Sequence, residues 1–190
     1  MYIISGKYRG KKLLEPERSD KLRPTSNKNL KNIINILYSG GLLESLDIKI
    51  AEIKLLDLFA GTGIFSFENL SQNISSTTLV DINQKNLNII RRNSKLIGEE
   101  GNIHTIKCDL KNGLPKLKQK YNLIFIDPPY NKNLTEKIFL DLENLNYLEK
   151  KHLIIVESSK KEELKFNRYK FKILKERIYG NSRFGFLTKS

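Results

Sequence analysis

Tryptophan is absent from this chain, and 190 residues hold one cysteine, one methionine and two histidines. A lone thiol, Cys108, excludes an intramolecular disulfide and suits a reducing, intracellular setting, so a cytoplasmic location is expected. Cys108 reads as a structural thiol rather than a nucleophile. His104 and His152 have no partners at metal-ligand spacing, so no metal is expected. Apolar runs fall far short of the ~20 residues a membrane-crossing helix needs. The start is polar and basic, with no apolar stretch of an export signal. Acid is also short: Lys and Arg number 34 against 21 Asp and Glu, a net charge of +13. That surplus favours a polyanionic partner. Drift of composition towards Lys, Asn and Ile accounts for part of it. The cations crowd the first two dozen residues, where Tyr2 and Tyr8 interleave with Lys7, Arg9, Lys11, Lys12, Arg18, Lys21 and Arg23. Lys7, Tyr8, Arg9, Lys11, Lys12 and Arg23 make a candidate RNA-binding arm.

Prolines are few too, five in all, yet two stand together in Asp127-Pro128-Pro129-Tyr130. They follow Tyr121-Asn122-Leu123-Ile124-Phe125-Ile126, which reads as a buried strand. Neither proline donates a backbone hydrogen bond, so the strand stops there. Each also keeps the residue before it extended. A carboxylate, stiff carbonyls and an aromatic ring thus meet at the carboxyl end of a strand, where open α/β sheets bind ligands. Such a corner suits methylation of an exocyclic amine on a base. That lone pair is delocalised into the ring and needs turning outward. Asp127 and the Pro128 carbonyl can accept the two N–H bonds while Tyr130 stacks on the base. The plain alternative is a strand-ending turn.

A second strand, Lys54-Leu55-Leu56-Asp57-Leu58-Phe59, leads into Ala60-Gly61-Thr62-Gly63 and a helical pattern from Ile64. The glycines allow a tight turn and close approach of a ligand to backbone. The third glycine of a dinucleotide site is missing, since position 66 is Ser, which argues against a nicotinamide cofactor. Asp57 suits a ligand with a charged amine, and S-adenosylmethionine is one. The acid for its ribose belongs about 20 residues on. Ser76-Thr77-Thr78-Leu79-Val80-Asp81 ends in one, and Asn102 to Cys108 leads to Asp109, placed for an adenine amino group. Alone, Asp81 or Asp109 reads equally well as a helix cap. The candidate cofactor set is Asp57, Phe59, Ala60, Gly61, Thr62, Gly63, Asp81, Ile82, Asp109 and Leu110, with Arg23, Pro24 and Thr25.

The layout predicts one domain. Residues 1–24 form a basic β-hairpin and linker, and 25–46 one or two helices. Residues 52–190 form the α/β core. Its strands are expected over 54–59, 76–81, 102–108, 121–127 and 151–158, with helices over 64–71, 84–97, 111–118 and 133–145. Two late strands, near 170–177 and 182–188, form an antiparallel hairpin edge. Alternation of this kind implies a mostly parallel, seven-stranded Rossmann-like sheet with helices on both faces.

The arrangement resembles the Rossmann-like S-adenosylmethionine-dependent methyltransferases, and within them the RsmD-type bacterial 16S ribosomal RNA guanine-N2 methyltransferases. The opening Ile3 to Leu13 is similar to that family's β-hairpin. Leu22-Arg23-Pro24-Thr25 resembles its Arg-Pro-Thr segment. Asp57 to Gly63 and Asp127 to Tyr130 match its cofactor and catalytic motifs. Val156-Glu157-Ser158 and Tyr179 to Arg183 resemble its closing strands. After Thr25 the family's usual acid is absent, and this chain reads Ser26-Asn27-Lys28-Asn29. The resemblance implies methylation of guanine 966 of 16S RNA at N2, on the small subunit or a late assembly particle, by a monomer. Two alternatives remain: an adenine-N6 enzyme acting on RNA or DNA, and a non-catalytic RNA-binding assembly factor.

Overall fold

The computed structural model describes residues 1–16, 27–129, 134–162 and 169–189. After the opening segment, helix α1 (Asn27–Leu37) buries Leu30, Ile33, Ile34 and Leu37 along one face, as their spacing predicts. A short helix α2 (Leu42–Ser45) starts from Gly41, which sits at φ 68°. Strand β1 (Lys54–Leu58) then begins the sheet, followed by α3 (Ile64–Ser71), β2 (Ser76–Asp81) and α4 (Gln84–Ile97). The Asn83 side chain caps α4 by accepting from the Lys85 N–H, and Gly98 closes it in the left-handed region. Next come β3 (Ile103–Lys107), β4 (Tyr121–Ile126), α5 (Leu134–Asn144), β5 (Leu148–Ser159), β6 (Phe171–Tyr179) and β7 (Ser182–Lys189).

The seven strands lie in the order β3-β2-β1-β4-β5-β7-β6. The first five are mutually parallel, and β7 enters antiparallel between β5 and β6. Both faces are covered, which is why β4 is apolar but for Asn122 and why Leu55, Leu56 and Leu58 of β1 are fully buried. On one face α1, α3 and α4 pack Leu30, Phe67 and Ile90 against Leu55, Leu123 and Ile155. On the other, α5 and the loop before β4 pack Ile138, Phe139 and Leu117 against Leu56, Ile124 and Ile154. The Rossmann-like reading of the sequence is thereby met.

Two expected elements differ. No helix forms over 111–118. A 3-10 turn, Leu110–Asn112, stops at Gly113 (φ 104°, ψ −173°), and Pro115 follows. The chain there is tied down instead by the Leu114 N–H donating to Asp141 Oδ2, 2.7 Å. The opening hairpin is a bent loop closed by one antiparallel bridge, Tyr2 to Lys12, rather than by paired strands. Backbone hydrogen bonds cross it, from Ile3 N–H to Lys11, Gly10 N–H to Ile3 and Leu13 N–H to Met1, and groups beneath it add further fixation. Glu68 of α3 accepts from the Ile4 N–H (2.5 Å) and Ser5 Oγ (3.2 Å). Asn93 of α4 accepts from the Leu14 N–H (2.8 Å) and donates back to the Leu14 carbonyl (3.1 Å).

Candidate active site

Backbone hydrogen bonds beyond the regular ladders draw four strand ends into one row. Asp127 N–H donates to the Leu58 carbonyl (3.4 Å), Ala60 N–H to Val80 (3.0 Å) and Cys108 N–H to Asp81 (3.1 Å). The residues after β4, β1, β2 and β3 therefore share the carboxyl edge of the sheet. Asp127 is half-buried, Pro128 buried and Pro129 exposed. Tyr130 lies outside the described residues, as do Arg23, Pro24 and Thr25.

The turn after β1 is held at high local cost. Phe59 takes φ 62°, a region a bulky side chain enters only when its surroundings force it. Gly61 (φ 54°) and Gly63 (φ 74°) follow. A Cβ on Gly63 would stand 2.9 Å from Leu79 Cδ2 and 3.0 Å from Ile90 Cγ1, so the turn presses directly on β2 and α4. At Gly61 a Cβ would meet only the Phe59 carbonyl, at 3.9 Å, which leaves that peptide open to a ligand. Phe59, Ala60, Gly61 and Thr62 are all half-buried at this edge.

Asp81 is the hub where the ends of β1, β2 and α4 meet. Its Oδ2 accepts from the Gly61 N–H at 2.8 Å, which joins the ends of β1 and β2. Its Oδ1 accepts from the Asn83 N–H (2.7 Å) and Asn86 Nδ2 (3.3 Å). Ile82, beside it, is 57% exposed and offers an apolar surface where a purine could lie. Asp109 accepts from the Lys111 N–H at 3.1 Å and so also serves as a cap. Leu110 is buried and packs into the core beneath.

Asp57 does something the sequence did not announce. Its carboxylate is buried, and Ser66 Oγ donates to it at 2.6 Å. Ser66 in turn shares a 2.8 Å hydrogen bond with Thr77 of β2. The serine in the third-glycine position thus ties β1, α3 and β2 together under the turn. Burial pushes the Asp57 carboxyl up to about 7, helped by the charge of Asp81 and opposed by Ser66. Asp57 therefore shapes the turn from below, while the turn's backbone and Asp81 face the edge.

The basic arm is anchored at the far end of the sheet. Lys7 Nζ (2.8 Å) and Tyr8 OH (2.6 Å) both bind Glu99, which also accepts from Asn102. Glu99 follows α4 just ahead of β3, so this anchor lies at the amino edge, away from Asp127. Burial raises the Glu99 carboxyl, but the hydrogen bonds from Lys7, Tyr8 and Asn102 outweigh it, and its pKa is lowered. Arg9, Lys11 and Lys12 stay exposed on the same loop. Sequence reasoning missed Glu68 and Glu99 as anchors. For Glu68 the available signal was an acid placed among the apolar residues of α3; Glu99, between Gly98 and Glu100, carried none.

A family model described as "Conserved hypothetical protein 95" matches residues 1–188. The chain belongs to the RsmD family of methyltransferases. It is similar to "Ribosomal RNA small subunit methyltransferase D" of Buchnera aphidicola, at 32% identity over 86% of this chain and 81% of the relative. The protein of that name from Escherichia coli is 30% identical over 82% of this chain and 73% of its own length. A solved structure described as "Putative methyltransferase yhhF from Escherichia coli" superposes with a TM-score of 0.81 at 25% identity, covering 100% of this chain and 97% of that one. As an RsmD-type methyltransferase, the chain needs a methyl donor. The open peptide at Gly61, the edge carboxylate of Asp81 and the exposed Ile82 fit the backbone, ribose and adenine demands of S-adenosylmethionine. Among the described residues no cluster of His, Cys, Asp and Glu suits a metal, and no helix is long and apolar enough to cross a membrane.

Proposed function

We propose that this RsmD-type enzyme methylates the exocyclic N2 amine of a guanine in 16S ribosomal RNA, at position 966, within the small subunit or a late assembly particle. The main support is the row of strand ends that sets Asp127 beside the Phe59–Gly63 turn and Asp81. Asp81 and the Gly61 peptide hold the ribose side of S-adenosylmethionine, with Ile82, Asp109 and Leu110 around its adenine. Arg23, Pro24 and Thr25 complete the cofactor set. When bound, the cofactor supplies an electrophilic methyl on a sulfonium.

Asp127 and the Pro128 carbonyl accept the two N2 hydrogens and turn the lone pair out of the ring plane. Tyr130 stacks on the flipped base. Asp127 acts first as a hydrogen-bond acceptor and takes the proton only late, because the amine becomes acidic as the new bond forms. Much of the acceleration comes from orientation and from an acceptor preorganised for developing positive charge. Lys7, Tyr8, Arg9, Lys11, Lys12 and Arg23 contact RNA outside the reacting base. The protein works as a monomeric single domain in the cytoplasm, without a metal.

The test is methyl transfer from labelled S-adenosylmethionine to small subunits lacking their native modifications, with mass analysis of the nucleosides. N2-methylguanosine is expected, and Asp127→Ala should cut turnover by roughly 10²–10⁴-fold while cofactor still binds. N6-methyladenosine as product would replace this reading with an adenine enzyme.

A further inference from the structure

Five acids are buried among the described residues: Asp57, Glu68, Asp81, Glu99 and Glu157. Glu68 and Glu99 fasten the opening loop, and Asp57 and Asp81 build the glycine turn. Glu157 stands elsewhere, at the carboxyl end of the sheet in β5. The register places it. Val156 pairs with Ile126, so Glu157 lies level with Asp127 on the neighbouring parallel strand. Asp127 prolongs β4 through its N–H bond to Leu58. Side chains alternate along a strand, so Asp127 and Glu157 leave the sheet on the same face, opposite to Ile126 and Val156. Neighbouring strands stand ~4.8 Å apart, so the two carboxylates are adjacent members of one cross-strand row. Across β5 on the other side, Glu157 pairs with the fully buried Phe184. It is 4% exposed beside Phe184, a setting where a hydrogen bond to charge is strong and a mismatched one is costly.

We infer that Glu157 is a specificity-determining residue that accepts the N1–H of the target guanine while Asp127 holds its N2 amine. The inference rests on the guanine-N2 reading above and deepens it. Guanine presents N1–H and N2–H as neighbouring donors on one edge. Two side-by-side carboxylates match that edge. Adenine carries a lone pair at N1, which a carboxylate repels. A site built to accept a donor rejects an analogue that lacks it far better than a pocket rejects a change of shape. Asp-Pro-Pro-Tyr by itself grips an amine on either purine, and Glu157 supplies the choice between them.

2,6-Diaminopurine tests this directly, because it keeps the 2-amino group but has a lone pair at N1. Once the modified position is mapped, small subunits are assembled on 16S RNA carrying guanosine or 2,6-diaminopurine there. Wild type should prefer guanosine by at least ~100-fold in kcat/KM. Glu157→Gln can donate to that lone pair, so its preference should shrink at least ~10-fold, with unchanged affinity for S-adenosylmethionine. Glu157→Asp keeps the charge but withdraws the acceptor. It should lower kcat/KM on guanosine without loss of cofactor binding, and it stands in if the amide variant does not fold. An unchanged guanosine-to-diaminopurine ratio in folded Glu157→Gln overturns the inference. So does a fall in cofactor affinity with that ratio intact, which would make Glu157 part of the donor site. A wild-type product other than N2-methylguanosine overturns the guanine reading itself, and this inference with it.

Discussion

At the scale of single residues, Asp57 carries the clearest pH signature. An unfolded aspartate titrates near 3.8, whereas burial in the fold pushes this one up to about 7. The folded protein therefore takes up that proton first. The stability Asp57 contributes is complete below its unfolded value, declines as pH rises towards about 7, and levels off above it. The span corresponds to roughly 4 kcal/mol at most. Asp57→Asn keeps the shape and cannot ionise. Denaturant unfolding between pH 4 and 8 should show wild type losing stability relative to Asp57→Asn through that window. Parallel curves for the two proteins would mean that Asp57 stays charged in the fold.

Among the elements, the opening loop is the one whose order depends on acids supplied by others. Its own backbone closes it with the Tyr2–Lys12 bridge and the Gly10 N–H to Ile3 bond, and its tip is fastened by Ser71 of α3, which accepts from the Lys7 and Tyr8 N–H groups, and by Glu99 through the Lys7 and Tyr8 side chains. The Lys7 ammonium also lies 4.8 Å over the Tyr8 ring. Removing the carboxylate leaves the half-buried Tyr8 hydroxyl without its acceptor, while Lys7 and Asn102, both exposed, can turn to water. Glu99→Ala should cost about 1–3 kcal/mol in unfolding free energy. It should also speed amide exchange at Tyr8 and Lys11. Cofactor affinity should not change, because the anchor lies at the opposite edge from Asp81. Weakened cofactor binding in this variant would show that the two edges are coupled.

Taken as a whole, the molecule sets a strong positive charge around a small sheet. Helix α4 holds Lys85, Arg91, Arg92 and Lys95 with no acid, and Asn93 joins it to a loop carrying Lys7, Arg9, Lys11 and Lys12. A surface of this kind binds RNA chiefly through phosphates, with counterion release. Affinity for small-subunit RNA should therefore fall steeply and log-linearly with salt. Replacing Lys11 and Lys12 by Gln should reduce that slope by about one for each phosphate no longer neutralised. A slope that does not change would place the RNA track elsewhere on the molecule. Cofactor affinity provides the control, since it should hardly respond to salt.

How much of this was legible in the sequence depends on the range of the interaction. Strand and helix order could be read along the chain, because apolar period and strand-ending prolines and glycines are local signals. The expected helix over 111–118 failed for a local reason as well, since Gly113 and Pro115 break it where no apolar stripe compels it. The candidate acids at 81, 109 and 127 could be chosen from their strand-end positions, and Asp57 from its place four residues before Gly61. Their division of labour could not. Asp57 and Asp81 look alike in sequence. Only the packing of α3 against β1 and β2 turned one onto Ser66 and left the other at the edge beneath Gly61. The pairing of β5 with β4 likewise set Glu157 level with Asp127, 30 positions away in the chain. The sequence by itself determined which elements form and what chemistry they carry, because propensity and periodicity act over a few residues. Only the tertiary structure decided which carboxylates stand at the carboxyl edge of the sheet and which are spent on the scaffold, because register and burial are set by contacts between distant segments.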